Sequence, residues 1–198
     1  MKIHSYGIVL ESLNEDDLEL VRIWRNSDFV RPYMHFQKII EPEAQNEWFK
    51  NIDQKSNFYF IISYKGRKLG LIHVKGIDWQ NASGEAGIFI GRAEFANTLV
   101  PVLATLTLID FAFQTLKLQK LKAKIMRNNL KVIQFNLALG YHLSESNSEQ
   151  AYAYYDLMAS DYALASKEMK SSLKKMDTQF KLEIEESVRE LINSVIQK

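Results

Sequence analysis

One stretch of this chain leaves little freedom for the rest. It starts at GEAGIFIG (Gly84–Gly91) and ends at NLKVIQFNLALGY (Asn129–Tyr141). Glu85 to Gly91 carries the short apolar run of a strand, and a loop follows. Pro101 suits the first turn of a helix, where its missing N–H has no partner to lose, and apolar residues carry that helix to about Thr115. Leu118 to Met126 reads as the next strand. Leu130 to Leu139 reads as a second helix, with Asn129 as N-cap and Gly140 as C-cap. A strand–helix–strand–helix unit of this kind needs a sheet with helices packed on it.

The preceding residues supply the rest of that sheet. Tyr6 to Leu10 reads as a first strand. Asn14 is placed to cap a helix whose first turn holds Glu15, Asp16 and Asp17, where the helix dipole favours acids. Leu20, Ile23 and Trp24 give that helix an apolar stripe, and it ends near Asn26 or Ser27. After an aromatic loop, Phe29 to Ile40, Pro42 opens a second helix with Ala44, Trp48, Phe49 and Ile52 on its buried face. NFYFIISY (Asn57–Tyr64) is a strand, and Lys65-Gly66 turns it into Lys68–Asp78. Tyr141–Glu145 and Ala151–Met158 pair as the last strands.

The expected fold class is α/β (α+β): three layers around a mixed sheet of about six to seven strands, over residues 1–160. Residues 161–198 contain neither proline nor glycine and form a helical extension. Met169, Leu173, Met176 and Phe180 step by fours and threes, and Ile184, Val188, Leu191 and Val195 continue the stripe after a slip. An apolar stripe of that length points to an interface, so a homodimer through the C-terminal helix is expected, the alternative being a helix that packs back across its own domain.

Composition removes several function classes. Hydrophobic residues make up 46% and charged residues 25% of 198, enough to bury a core. A net charge of +1 gives no electrostatic footprint for nucleic acid. No apolar run approaches the ~20 residues of a membrane span. MKIHSYGIVLES lacks the apolar centre of a signal peptide, so cytoplasmic residence is expected. Cysteine is absent, which excludes disulfides, thiolate zinc ligands and a cysteine nucleophile. His4, His35, His73 and His142 follow no metal-ligand spacing, and no metal is expected.

Asn129 through Tyr141 matches an N-x-x-A/S-I…LGF/Y pattern. With the element order before it, the chain resembles the GNAT N-acetyltransferase superfamily over about residues 5–159. Trp24-Arg25-Asn26, the loop Pro32–Phe36 and EPEAQNEWF bring it closest in pattern to the ribosomal-protein and amino-sugar N-acetyltransferase branch. The resemblance implies acetyl-CoA as acyl donor and a primary amine, on a protein N-terminus or an amino sugar, as acceptor. It places the backbone of Ile88, Phe89, Ile90 and Gly91 along the pantetheine arm. It places Asn97, Thr98, Leu99 and Val100 at the pyrophosphate and Asn129 beside the arm. Where the cofactor strand splays from its parallel neighbour, free backbone donors would polarise the thioester carbonyl. Arg25, Asn26, Tyr33 and His35 fall on the acceptor side. Glu85 is the candidate base, working through water, with His73 as second candidate.

Two positions depart from the family pattern. The pyrophosphate loop, Phe95-Ala96-Asn97-Thr98-Leu99-Val100, has no glycine, and Val100 stands where glycine or alanine is expected. On that reading Val100→Gly should tighten CoA binding by restoring backbone approach. Asn136 occupies the position where many relatives carry a tyrosine general acid, and an amide cannot serve as one. Three readings follow: a direct-transfer N-acetyltransferase, a non-catalytic GNAT-fold binding or assembly module, or an enzyme using another acyl-CoA or a shortened cofactor.

Overall fold

Two tight turns set the first half of the sheet. Tyr6 (φ 52°) and Gly7 (φ 72°) join β1 (Lys2–Ser5) to β2 (Ile8–Ser12). Lys65 (φ 49°) and Gly66 (φ 73°) join β3 (Phe58–Tyr64) to β4 (Arg67–Asp78). Positive φ at both central residues is the two-residue hairpin geometry whose twist matches that of the strands. The first hairpin replaces the single strand expected at Tyr6–Leu10: Tyr6 is a turn residue, not a strand start.

The computed structural model describes residues 1–145, 151–174 and 186–196. Four more strands, β5 (Ser83–Ile90), β6 (Lys120–Met126), β7 (His142–Glu145) and β8 (Tyr152–Met158), complete one eight-stranded sheet. Its order is β1-β2-β3-β4-β5-β6-β8-β7, one strand beyond the expected range because of the opening hairpin. Neighbours are antiparallel except β5 and β6, which are parallel and joined by the expected helical crossover. That crossover holds α3 (Ala93–Ala96) and α4 (Val100–Asp110), with a π-helical turn, Phe111–Thr115. The other helices are α1 (Leu18–Asn26), α2 (Pro42–Lys50), α5 (Leu130–Ala138), α6 (Ala159–Lys174) and α7 (Glu186–Ile196).

The mixed sheet is buried on both faces at its centre, which is why residues 58–62 are apolar without interruption. Along β3, Phe58, Phe60 and Ile62 join the large core with α4, while Ile61 joins Val21, Trp24 and Leu71 beneath α1. The α1 stripe is Leu18, Val21 and Trp24; Ile23, expected inside, is exposed. Helix α2 also departs from expectation. Its one buried residue is Gln45, whereas Ala44 and Trp48 are exposed. The apolar side of α2 faces a cavity instead of the core.

The C-terminal helices cover the α4 face. Tyr162, Leu173 and Ile192 belong to the large core, and Met169 packs against it. Buried Asp110 accepts from Lys170 Nζ (2.5 Å), Tyr162 Oη (3.0 Å), Gln114 Nε2 (3.3 Å) and Tyr6 Oη (3.5 Å). A carboxylate so placed needs this many donors. Met176, Phe180 and Ile184, and the side chains of Val188, Leu191 and Val195, lie outside the described residues. No helix among the described residues is long and apolar enough to cross a membrane.

Candidate active site

Strands β5 and β6 pair over three positions, Ser83 with Lys120, Gly84 with Leu121 and Glu85 with Lys122, and then separate. Gly91 donates to Leu69 on the β4 side. By the alternation of an antiparallel ladder, the amides of Ile88 and Ile90 point the other way, into the gap. That gap opens into a cavity of about 850 Å³ lined from α1, α2, β3–β6, α4 and α5. Ile88, Phe89, Ile90 and Asn129 line it; Gly91 does not.

Two glycines of GEAGIFIG serve packing. A Cβ on Gly91 would meet the Trp24 ring at 2.2 Å, and one on Gly87 would meet His73 Cε1 at 2.6 Å. The first lets α1 settle on β5, with Trp24 edge-on to Phe89. The second lets the His73 imidazole lie across the strand bordering the gap.

Trp24-Arg25-Asn26 divides its work among three directions. Trp24 packs on the sheet. Arg25 turns into the cavity, where its Nη2 reaches the Phe36 carbonyl at 3.4 Å. Asn26 is not among the lining residues. Its amide donates to the Ile40 carbonyl (2.9 Å) and accepts from the Ile40 N–H (2.8 Å), closing the loop that carries Tyr33 and His35 into the cavity wall.

Glu85 lines the cavity at the point where the strands part, and its carboxylate pairs with Lys75 at 2.9 Å across the sheet. His73 also lines it, with both ring nitrogens sealed from solvent and unpartnered. Burial, then the nearby charges of Lys75 and Arg25, push the imidazole down to about 3. It is therefore neutral at ordinary pH and a weak base. Burial lowers the Arg25 guanidinium, and burial with the charge of Glu85 raises the Tyr59 hydroxyl. Lys124 stands 3.4 Å from His35 Nδ1 and over the Tyr152 ring. Among the described residues no group of three His, Asp or Glu is placed to hold a metal.

The pyrophosphate-loop residues sit beside the cavity. Asn97, Thr98, Leu99 and Val100 are outside its lining; Ala96, Pro101 and Thr105 are in it. Val100 is 3% exposed, its side chain in the core and not over the loop. Thr98 Oγ1 donates to the Phe95 carbonyl (2.8 Å) and accepts from the Val100 N–H (3.2 Å), so an anion-binding donor is used internally. No residue from 92 to 100 has positive φ, so this backbone makes no demand for glycine. At the next helix Asn129 Oδ1 caps Val132 N (3.4 Å), and Asn136 Nδ2 donates to the Val132 carbonyl (2.8 Å).

The sequence reading missed Gln45, Tyr59, Lys124 and Tyr141, all of which line the cavity. Tyr59 was within reach: it alternates with the core residues of β3 and must face α2. Gln45 carried no signal, since its burial depends on the roof loop. Burial alone raises the Tyr141 hydroxyl, which keeps its proton.

A GNAT acetyltransferase domain model matches residues 8–142, and the chain belongs to that family. Acetyl-CoA is the acyl donor of GNAT acetyltransferases. The open amides and the cavity fit its thioester and pantetheine end, and the dipole of α4 remains for its phosphates. An uncharacterised protein of Methanocaldococcus jannaschii is 22% identical over 152 residues, 74% of this chain, and the chain spans 30% of that relative's length. A solved domain from the same organism superposes with a TM-score of 0.67 at 21% identity, covering 78% of this chain and 99% of that one. Spermidine N-acetyltransferase of Vibrio cholerae, in complex with CoA and spermine, gives 0.70 at 16% identity, covering 79% and 98%. FdhC, a nucleotide-linked sugar GNAT, gives 0.73 at 21%, covering 86% and 97%.

Proposed function

We propose that this protein transfers an acetyl group from acetyl-CoA to a primary amine, on a protein N-terminus or an amino sugar, by direct attack. The carrying observation is Glu85, set in the cavity wall where β5 and β6 part. When bound, acetyl-CoA supplies an activated acyl group. Ile88 and Ile90 donate to it from the open edge of β5, with Asn129 alongside. Glu85, released from Lys75 or acting through water, takes the proton from the acceptor amine. Tyr141 lines the same cavity, but burial raises its hydroxyl and makes it a poor acid, so the position Asn136 occupies supplies no general acid. Arg25, Tyr33 and His35 bound the acceptor side, while Asn26 acts on the acceptor through the loop it closes. The nucleotide-linked sugar GNAT among the structural neighbours supports an amino-sugar acceptor, and the spermidine enzyme supports a small amine.

Cytoplasmic residence and a homodimer belong to the same proposal. Met169 and Leu173 of the expected stripe pack on the chain's own core, so within the described residues the dimer reading rests on Leu164 of α6, 80% exposed. Mass measurement in solution tests the dimer, and a monomer at high concentration removes it. The reading of a non-catalytic module is favoured by one observation, the internal use of the loop donors by Thr98. Calorimetric titration with acetyl-CoA, followed by thiol release in the presence of amines, separates the two. Micromolar binding with turnover supports the enzyme; no binding at millimolar ligand supports the module.

A further inference from the structure

Three hydrogen-bonding side chains on the acceptor side of the cavity have atoms that are sealed from solvent and satisfied by nothing in the protein. They are Arg25 at Nε, Gln45 at Nε2 and His73 at both ring nitrogens. Gln45 is 5% exposed, so its amide is committed to the interior. Buried polar atoms left in this way carry a free-energy penalty, which a bound ligand lining up with them would offset. Their chemistry is one-sided. A guanidinium and a primary amide nitrogen only donate, and a neutral imidazole offers one donor and one acceptor. Tyr59 lies against His73 with ring centroids 5.1 Å apart, and Arg25 acts electrostatically on both, so these groups share one corner.

The charges around the cavity are mostly positive. Arg25, Lys75 and Lys124 line it, and Glu85, paired with Lys75, is its one carboxylate among the described residues. Such a wall repels a polycation. It also leaves the Arg25 guanidinium, lowered by burial, without a carboxylate partner among the described residues. A half-buried cation without a carboxylate partner gains from an anion that arrives with the ligand.

We infer that the acceptor amine carries a carboxylate or phosphate, which is held by Arg25, Gln45 and His73 while Glu85 receives the ammonium end. The inference rests on the acetyl-transfer reading and names the acceptor class within it. Arg25 then sets specificity, since a guanidinium can hold either anion through two parallel hydrogen bonds.

Matched amines test this with acetyl-CoA and thiol release. Glucosamine is compared with glucosamine 6-phosphate, alanyl-alanine amide with alanyl-alanine, and spermidine is included as the polycation. The expected result is at least a 10-fold higher kcat/KM for the anionic member of one pair. The pair that responds tells phosphate from carboxylate. In Arg25→Met that advantage should fall at least 10-fold with acetyl-CoA affinity kept, and Arg25→Lys should recover part of it. Equal rates within both pairs, or preference for spermidine, would overturn the inference. So would loss of acetyl-CoA affinity in a folded Arg25→Met protein, because the guanidinium would then serve the donor. If no amine turns over, calorimetry of the anionic members against the acetyl-CoA complex decides, and no binding at 10 mM overturns the inference. Failure of acetyl-CoA itself to bind instead removes the enzyme reading and the inference with it.

Discussion

Val100→Gly separates two accounts of the altered loop. If the valine obstructs the phosphates, glycine should tighten acetyl-CoA binding. The structure predicts otherwise, because Val100 is 3% exposed and its side chain belongs to the core at the first turn of α4. Removing it forfeits roughly 1.5–3 kcal/mol of apolar burial. Glycine in a helix adds up to ~1 kcal/mol relative to alanine. No compensating gain is available, since no residue from 92 to 100 adopts positive φ. The total is about 3 kcal/mol, which in a chain of this size lowers the melting temperature by roughly 6–12 °C. Acetyl-CoA affinity should stay level or fall, because the Val100 N–H is tied to Thr98 Oγ1 whichever residue stands there. Thermal unfolding and calorimetric titration of the two proteins check both parts. Tighter binding with unchanged stability would refute this placement of the side chain and restore the obstruction account.

Three further outcomes are expected. Glu85→Gln should lower turnover by ~10²-fold or more and leave acetyl-CoA affinity nearly intact; steady-state thiol release with wild-type rates would remove it as the base. Asp110→Ala leaves Lys170 and Tyr162 without their shared acceptor and should destabilise by about 3–5 kcal/mol, read as a shifted urea midpoint. His73 takes up a proton near its ordinary value of 6.5 when unfolded but only near 3 when folded, so stability falls as pH drops through that window. Its share between pH 7 and pH 5 is about 2 kcal/mol, and His73→Phe should lose that share of the difference in urea titrations.

The fold was legible where one local rule decided the outcome. Lys65-Gly66 announced a hairpin because it sits between two apolar runs. Tyr6-Gly7 is the same turn with the same two positive φ values, yet it went unread. Tyrosine is a strand former, and Ser5 and Gly7 around it gave no break strong enough to outweigh that preference. In the α1 stripe Trp24 is buried and Leu20 partly buried as expected, and Ile23 is exposed for a tertiary reason. Leu20 and Ile23 keep helical spacing with Trp24, but the 3₁₀ turn Glu15–Asp17 sets the phase so that Leu18 and Val21 face the sheet. Buried Asp17, tied to Lys68 at 2.5 Å, fixes that phase, and nothing local to α1 reveals it.

The site was legible by position but not by role. Glu85 and the β5 backbone were pointed to by strand order together with the family resemblance, and in the structure the parallel neighbour separates after three pairs and leaves an open edge there. Roles within Trp24-Arg25-Asn26 depend on partners far away in sequence. Gly91 makes room for the indole, and the Ile40 backbone engages the asparagine through both its N–H and its carbonyl. With those two side chains spoken for, the arginine between them is the one that reaches the cavity. The apolar side of α2 follows the same logic: Ala44 and Trp48 were expected in the core because their spacing is right, and they roof the cavity instead. A helix over a binding cavity needs the same periodicity as a helix over a core, and what separates the two is the polar group set among the apolar ones. Here that group is Gln45, buried between Ala44 and Trp48 with its Nε2 unsatisfied, and it shares its cavity with His73 and with the sealed Nε of half-buried Arg25. Those unsatisfied atoms are the observation on which the proposed anionic acceptor rests.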